Sequence, residues 1–494
     1  MSSSHIDEES PLLAPEQRKK KRTPLPWAQF SIVLFLQLAE PLTGQVISPF
    51  APDLIRNVGI THGDETKVGY YVGLMHSLFF ATEALTVLHW SRVSDHVGRK
   101  PVILTGLFGL SISMFFFGLS QSFWGLVLSR CLNGALNGNV GVIKSMMAEL
   151  TDSTNLAQAY AYMPIAWSTG GTLGPMIGGA LSRPAERFPE LFGQNEFLKQ
   201  YPYFLPCAVP ATFSLLACLV TFLFLKETVS SPVSMSRLFR FRKSTANLTL
   251  QNVVASQDPS ATTLPSKTKL PWDEDEKPLP LLALLNRRVV VAGANYSSLA
   301  VVDIAFRSIQ PLFFSTPIHL GGLGLPPHKI GMILSVFGTL NGIFQVFFFA
   351  KIHDRWGTKN VFIAGLISAV PIFASFPLIN YLARAQGLSL SVWIVVGAQV
   401  VISVLINLSY GCIFIYITAA APNKASMGAT NGLCQTTVSI MRAIGPAVAS
   451  SLFSLSIDKE HHYLGGWLVY CVLEVLAFVS IAIGSLLPRQ VWNI

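Results

Sequence analysis

Charge is scarce in this sequence. Asp, Glu, Lys and Arg supply 12% of its 494 residues, about half the roughly 25% typical of soluble globular chains. Hydrophobic residues make up 51%, and the mean hydropathy is +0.49. Length alone would suggest two to four soluble domains; hydropathy overrides that count. Other absences narrow the function. The six cysteines (Cys131, Cys207, Cys218, Cys412, Cys434 and Cys471) all lie in apolar runs, none at metal-ligand spacing, so they read as small buried hydrophobes rather than disulfide partners. His76, His89 and His96 cluster with no carboxylate or thiol, and no metal is expected. There is no G-x-x-x-x-G-K-[ST] loop to bind a nucleotide and no nucleophile–base constellation, so neither an enzyme nor a cofactor is expected. The first 23 residues are polar and include RKKKR at 18–22, which predicts no cleavable signal peptide.

Long apolar runs are what the sequence has in abundance. A membrane span needs about 20 mostly apolar residues. Twelve such runs are readable: 27–50, 68–90, 101–120, 122–147, 156–181, 203–225, 288–314, 329–350, 360–381, 391–419, 427–456 and 466–487. In lipid each segment must satisfy its own backbone, so all twelve are predicted to be helices. The formal charge of +9 then belongs to cytoplasmic loops, and nucleic acid is not an expected partner.

SRVSDHVGRKPVIL begins at Ser91, and a near-copy, AKIHDRWGTKNVFI, begins at Ala350, 259 residues later. Each copy follows the second apolar run of a set of six. A polar stretch with RLFRFRK at 237–243 and DEDE at 273–276 separates the sets. The predicted organisation is a cytoplasmic tail (1–26), a six-helix half (27–226), a largely disordered linker (227–287), a second six-helix half (288–487) and a short tail (488–494). Lys and Arg favour the same side as RKKKR, which predicts both termini in the cytoplasm.

Three stretches carry a family resemblance. The repeated turn, with Asp95, Gly98, Arg99 and Lys100 in one copy and Asp354, Gly357 and Lys359 in the other, resembles the signature of the major facilitator superfamily; Ser91 replaces the leading Gly and Thr358 replaces the Arg. GGTLGPMIGG at 170–179 (Gly170, Gly174, Pro175, Gly178, Gly179) resembles the helix-5 motif of its proton-coupled exporters. Read from the residues alone, it is a small-residue packing face with a proline bend. RCLNGALNGNVGVIK at 130–144 resembles the family's helix-4 motif. With AEP at 39–41, the chain resembles the twelve-helix drug:proton antiporter branch, near fungal members akin to zinc-induced facilitators and tetracycline exporters. The sugar porters' Pro-Glu-Ser-Pro is absent; KET stands there at 226–228. The resemblance implies a turn that latches the two halves in one access state and a helix-4 Arg that supports proton coupling.

Membrane-depth polar residues are expensive and therefore candidates for function. Glu40 shares a helix face with Gln37, Pro41 and Gly44 and is the first candidate proton carrier, with Arg130 as candidate partner; a structural hydrogen bond is the alternative. Asp303 and Arg307 are spaced i,i+4 for an ion pair, with Tyr296 and Gln310 on the same face. That stripe reads equally as a substrate wall or a locked structural pair, and Asp303 as a second proton site. Glu83 is a further proton candidate. Arg442 is a possible counter-charge for Glu83 or Glu474, with nothing to choose between them. Asn133, Asn137, Asn407 and Tyr410 complete the candidate cavity lining.

The expected function is export of a small organic compound in exchange for protons, by a monomer in the bilayer. The alternatives are a uniporter or symporter on the same fold, or a transporter-like nutrient sensor. EESPLL at 8–13 fits an acidic dileucine address to a vacuole, against residence in the plasma membrane; the expected source is fungal.

Overall fold

The computed structural model describes residues 23–152, 155–228, 283–422, 426–458 and 463–492. The tail through residue 22, with its dileucine pattern, and most of the expected linker, residues 229–282, lie outside them. Helical segments stand at all twelve expected spans. In the first half, α1 (Trp27–Gln37), α2 (Ala39–Gln45) and α3 (Ala51–Val58) share the first span. They are followed by α4 (Val68–Val97), α5 (Arg99–Leu119), α6 (Phe123–Leu136) with α7 (Asn139–Leu150), α8 (Leu156–Leu181) and α9 (Phe204–Phe224). The second half has α10 (Arg287–Ser315), α11 (Pro327–Phe347) with α12 (Phe349–Trp356), α13 (Thr358–Gln386), α14 (Leu390–Ala420), α15 (Met427–Ser456) and α16 (Leu468–Ser485). Among the described residues nine helices are long and apolar enough to cross a membrane, and none forms a strand.

Two spans expected as single helices are broken. Pro41 has no N–H to return to the Gln37 carbonyl, and the first span is interrupted at Leu38, between α1 and α2, where the backbone itself stays helical (φ −67°, ψ −24°). The fourth span breaks at Asn137 and Gly138, between α6 and α7. Trp90 on α4 stabilises that break: its Nε1 donates to the freed carbonyl of Ala135 at 2.7 Å, and its ring lies where Gly138 would otherwise carry a Cβ.

The duplicated charged stretches are mostly helical rather than loops. α4 runs through Val97 and α12 through Trp356, so only Gly98 and Gly357 make the turns. Both adopt left-handed backbone (φ 115°, ψ 159° and φ 77°, ψ 158°), a region essentially restricted to glycine. The charges sit on helix that extends past the apolar span.

The two halves meet along two helix pairs, α4 with α15 and α8 with α11. At the end opposite the charged turns these pairs are zipped by small residues. Gly73 lies against the Pro446 carbonyl and Ser450, Gly179 against Gly331, and Gly338 against Gly171. Hydrogen bonds cross the seam from Tyr70 N to Ser454 Oγ (3.0 Å), from Ala447 N to Ser77 Oγ (2.8 Å) and from Ser335 Oγ to the Thr172 carbonyl (2.9 Å). Arg56 spans the same end, donating to Ser315 Oγ (2.6 Å) and the Ser315 carbonyl (3.1 Å) while pairing with Glu65 at 2.9 Å. Among the described residues every hydrogen bond between halves lies on this side. The molecule is closed at that end and parted at the charged-turn end.

Candidate functional site

The first half brings two membrane-depth carboxylates together. Glu40 stands just before Pro41, its carbonyl bonded by Thr43 Oγ1 at 2.9 Å. Glu83 lies on α4, where Gly134 lets α6 approach the backbone of Phe79 and Glu83 closely. The break in the fourth span aims Asn137 at both: its Nδ2 is 3.4 Å from Glu83 Oε1, and the same amide neighbours Glu40. The two carboxylates feel each other's charge.

Their cationic neighbours differ from the expectation. Glu40 faces Arg442 and Lys144, and Arg130 is instead a neighbour of Glu83. Arg130 is buried, its guanidinium 4.3 Å from the centre of the Phe79 ring, which is cation–π distance. Its Nε and Nη1 have no hydrogen-bond partner. The 130–144 stretch expected as one helix is divided at Asn137, with Arg130 and Asn133 buried on the α6 side and Lys144 on α7.

In the second half the i,i+4 pair is part of a network. Arg307 Nε donates to Asp303 Oδ1 at 2.8 Å, Tyr410 OH donates to Asp303 Oδ2 at 3.0 Å, and Arg307 Nη2 donates to Asn407 Oδ1 at 3.0 Å. Phe337 lies beneath the guanidinium at 5.5 Å. Tyr296 is tied to Gln435 on α15 at 3.1 Å and stacks edge-on with Tyr410. Asn407 Nδ2, Gln310 Nε2, Gln37 Oε1 and Asn137 Oδ1 are enclosed without partners. Unsatisfied groups of this kind are costly unless a ligand or water meets them.

Arg442, expected as a counter-charge for Glu83 or Glu474, stands beside Glu83 rather than Glu474. It lies on α15 and faces ionisable groups of both halves: the carboxyls of Glu83 and Glu40 on one side, Asp303 and the phenols of Tyr296 and Tyr410 on the other. Among the described residues its guanidinium makes no direct hydrogen bond or ion pair. The available signal was a cation in the middle of an apolar run; its partners come from four other helices, which spacing along the chain does not reveal.

The two charged turns are held differently. In the first, the Glu227 carboxylate accepts from the backbone N–H of Arg99 (2.8 Å) and Lys100 (3.0 Å), capping α5 at its positive end. Arg99 also donates to Glu149 on α7 (2.9 Å) and to Ser94 Oγ (2.7 Å). Glu149 and Glu227 were not among the expected residues; Glu227 is the middle residue of the KET that stands where sugar porters differ. In the second turn Lys359 Nζ caps the other polarity, donating to the carbonyls of Ser485 (2.8 Å) and Leu487 (2.5 Å) at the end of α16. Asp354 is exposed beside His353. The side chain of Asp95 lies outside the described residues. The bonds recorded for each turn stay within its own half.

The helix-5 motif has two working faces. Gly170, Gly174 and Gly178 admit the α2 segment at Pro41, Gln45 and Val46, while Gly179 and the Pro175 carbonyl meet Gly331 on α11 of the other half. The helix stays continuous through Pro175. The same ten residues therefore set the position of Glu40 and form part of the seam.

Comparison with known proteins agrees with this architecture. The Major Facilitator Superfamily matches residues 33–446. The chain is 27% identical to the Major facilitator superfamily multidrug transporter mfsB of Aspergillus fumigatus, covering 90% of this chain and 81% of the relative. It is 30% identical to Protein ZINC INDUCED FACILITATOR 1 of Arabidopsis thaliana, covering 95% and 93%. The crystal structure of a D-xylose-proton symporter superposes with a TM-score of 0.65 at 14% identity, over 95% of this chain and all of the other, a likeness of fold. A matched family across most of the chain and long apolar helices, with helical segments at each of the twelve expected spans among the described residues, lead to one conclusion: the chain is a multi-pass membrane protein of the Major Facilitator Superfamily.

Proposed function

We propose that the protein exports a small organic compound from the cytoplasm in exchange for protons, by rocking its two halves about the polar site. The observation that carries this reading is the cluster of Glu40, Glu83 and Asn137 facing Arg442 of the opposite half. Carboxylates at membrane depth without a direct salt bridge are suited to taking up and releasing a proton. A cation on the other half changes its distance from them as the halves rock, so proton affinity is tied to the access state. The enclosed amides of Gln310 and Asn407 and the ring of Tyr410 supply a wall for a polar organic substrate. The relative named as a multidrug transporter supports efflux as the direction. Both termini and the 227–287 linker face the cytoplasm in this reading, and the protein works as a monomer in the plasma or vacuolar membrane of a fungus.

The test uses sealed vesicles with the cytoplasmic face outward and an acid-inside gradient followed by a pH-sensitive dye. Drugs, organic acids, siderophores and metal chelators are added in turn. The expected result is a compound that collapses the gradient in wild type and fails to do so with Glu40→Gln. Collapse retained in that variant moves the proton site to Glu83. Uptake of a compound independent of any gradient, with no dye response to any class, refutes proton exchange.

A further inference from the structure

A groove of about 430 Å³ runs along the α8–α11 junction at the zipped end of the seam, within the size range of small-molecule sites. Its floor is apolar (Met176 from one half, Met332, Val336 and Leu340 from the other), and Arg187 and His328 stand at its mouth. Helix geometry places it on the bilayer side. On α8 the face of Gly170, Gly174 and Gly178 is taken by α2, and Gly179 meets α11; Met176, 49% exposed, and Ala180 lie beside the α11 contact and away from α2. On α11 Phe337 turns inward to Arg307, while Met332, 65% exposed, lies on the opposite flank.

Arg187 makes hydrogen bonds through one nitrogen only, with its guanidinium 5.4 Å from the centre of the Phe188 ring. Its Nη1 donates to the carbonyls of Gly179 and Ala180 at 3.0 Å each, and among the described residues Nη2 and Nε have no acceptor. His328 lies within electrostatic reach of both Arg187 and Lys329. The nearby carboxylate of Glu186 is turned to Arg183, at 3.3 Å. A group of basic side chains at the membrane-interface end of a hydrophobic channel complements one kind of molecule in particular: an acyl chain below an anionic head.

We propose that this groove is a binding site for an anionic glycerophospholipid of the leaflet opposite the charged turns, with its phosphate on Arg187 and His328 and one acyl chain between Met176 and Met332. One wall comes from each half, so the site exists whole only while this end of the seam is closed. The lipid is therefore a ligand of the closed end and favours it by mass action. This inference concerns a surface outside the polar site and stands apart from proton exchange.

The experiment measures lipid retention by native mass spectrometry on the full chain, after delipidation and addition of phosphatidylglycerol or phosphatidylcholine. The expected result is preferential retention of one phosphatidylglycerol. Arg187→Gln lowers that retention about fivefold, the contribution of one basic side chain near a charged head group. Met332→Trp fills the exposed channel and lowers retention of both lipids, with the melting temperature of each variant checking that the fold persists. Phosphatidylglycerol retention unchanged by both substitutions overturns the proposal. So does binding of inorganic phosphate that matches the lipid and is indifferent to Met332→Trp, because the site is then one for a soluble anion.

Discussion

The seam between the halves is built from the same two helix pairs at both ends, yet the ends differ. Along α15, Ser450 is fully buried against Gly73, while Thr436 and Gly432, on the same face about four and five turns towards the charged turns, are exposed. Along α11, Ser335 and Gly338 are buried, while Val346 is 53% exposed. The zipped end is made of glycine and serine, with backbone approaching backbone. Lipid tails give helices no hydrophobic reason to associate, so close packing and hydrogen bonds must do it. The parted end presents two charged turns, each bonded within its own half. The seam therefore carries small-residue packing at one end and charge at the other. The polar site of Glu40, Glu83 and Arg442 lies between them.

Gly73→Leu breaks the comparison most directly. A Cβ at position 73 would stand 2.6 Å from both the Pro446 carbonyl and Ser450 Cβ, so the zipped end could not re-form. Overpacking of this kind costs about 1–3 kcal/mol, which shifts the seam equilibrium roughly fivefold to 150-fold. Transport should fall accordingly, while Gly432→Ala, where a Cβ meets nothing within 4 Å, should leave it near wild type. Equal loss in both would mean that the glycines are needed only for folding. A smaller effect sharpens the same contrast. With a cysteine placed at Thr436 or at Ser450, a membrane-impermeant maleimide from the charged-turn side should label Thr436→Cys severalfold faster. Ser450 Oγ has no partner to lose, so the second substitution is mild. Similar rates at the two positions would contradict the parted state. Adding Gly73→Leu should raise labelling of Ser450→Cys from the opposite side.

Much of this architecture was legible in the sequence, for physical reasons that also explain the remainder. A bilayer demands long apolar helices, so hydropathy located the spans to within a few residues. Duplication of SRVSDHVGRK located the two halves. The Asp303–Arg307 pair follows from helical spacing and stands at 2.8 Å. Two kinds of feature did not follow. Breaks in spans depend on whether a neighbour stabilises the freed carbonyl: Gly138 was visible, but Trp90, 48 positions away in the sequence, decides that the helix breaks there. Electrostatic partners are also tertiary. Arg130 seemed a natural match for Glu40, yet the turn of the chain at Asn137 puts Lys144 nearer to Glu40 and leaves Arg130 over Phe79. For Arg442 the sequence left two carboxylates open, Glu83 and Glu474, and only the packing of helices from both halves puts it by Glu83 and Glu40. The linker and the tail address lie in residues whose arrangement is not described, and their reading rests on composition.

The smallest effect to seek is at Arg56, the one ion-paired side chain among the described residues that also bonds across the halves. It holds Glu65 at 2.9 Å and reaches Ser315 with two bonds. Both members of the ion pair are partly exposed, so the Coulombic part is screened and worth about 0.2–1 kcal/mol. Arg56→Gln should therefore loosen the zipped end only modestly, raising labelling of Ser450→Cys from that side about two- to fivefold with transport largely retained. Ser315→Ala should reproduce most of the effect if the cross-half bonds matter more than the pairing with Glu65; Glu65→Gln should reproduce it if the order is reversed. A change as large as that of Gly73→Leu would mean that charge, rather than close packing of small residues, holds this end shut, and the contrast between the two ends would have to be redrawn.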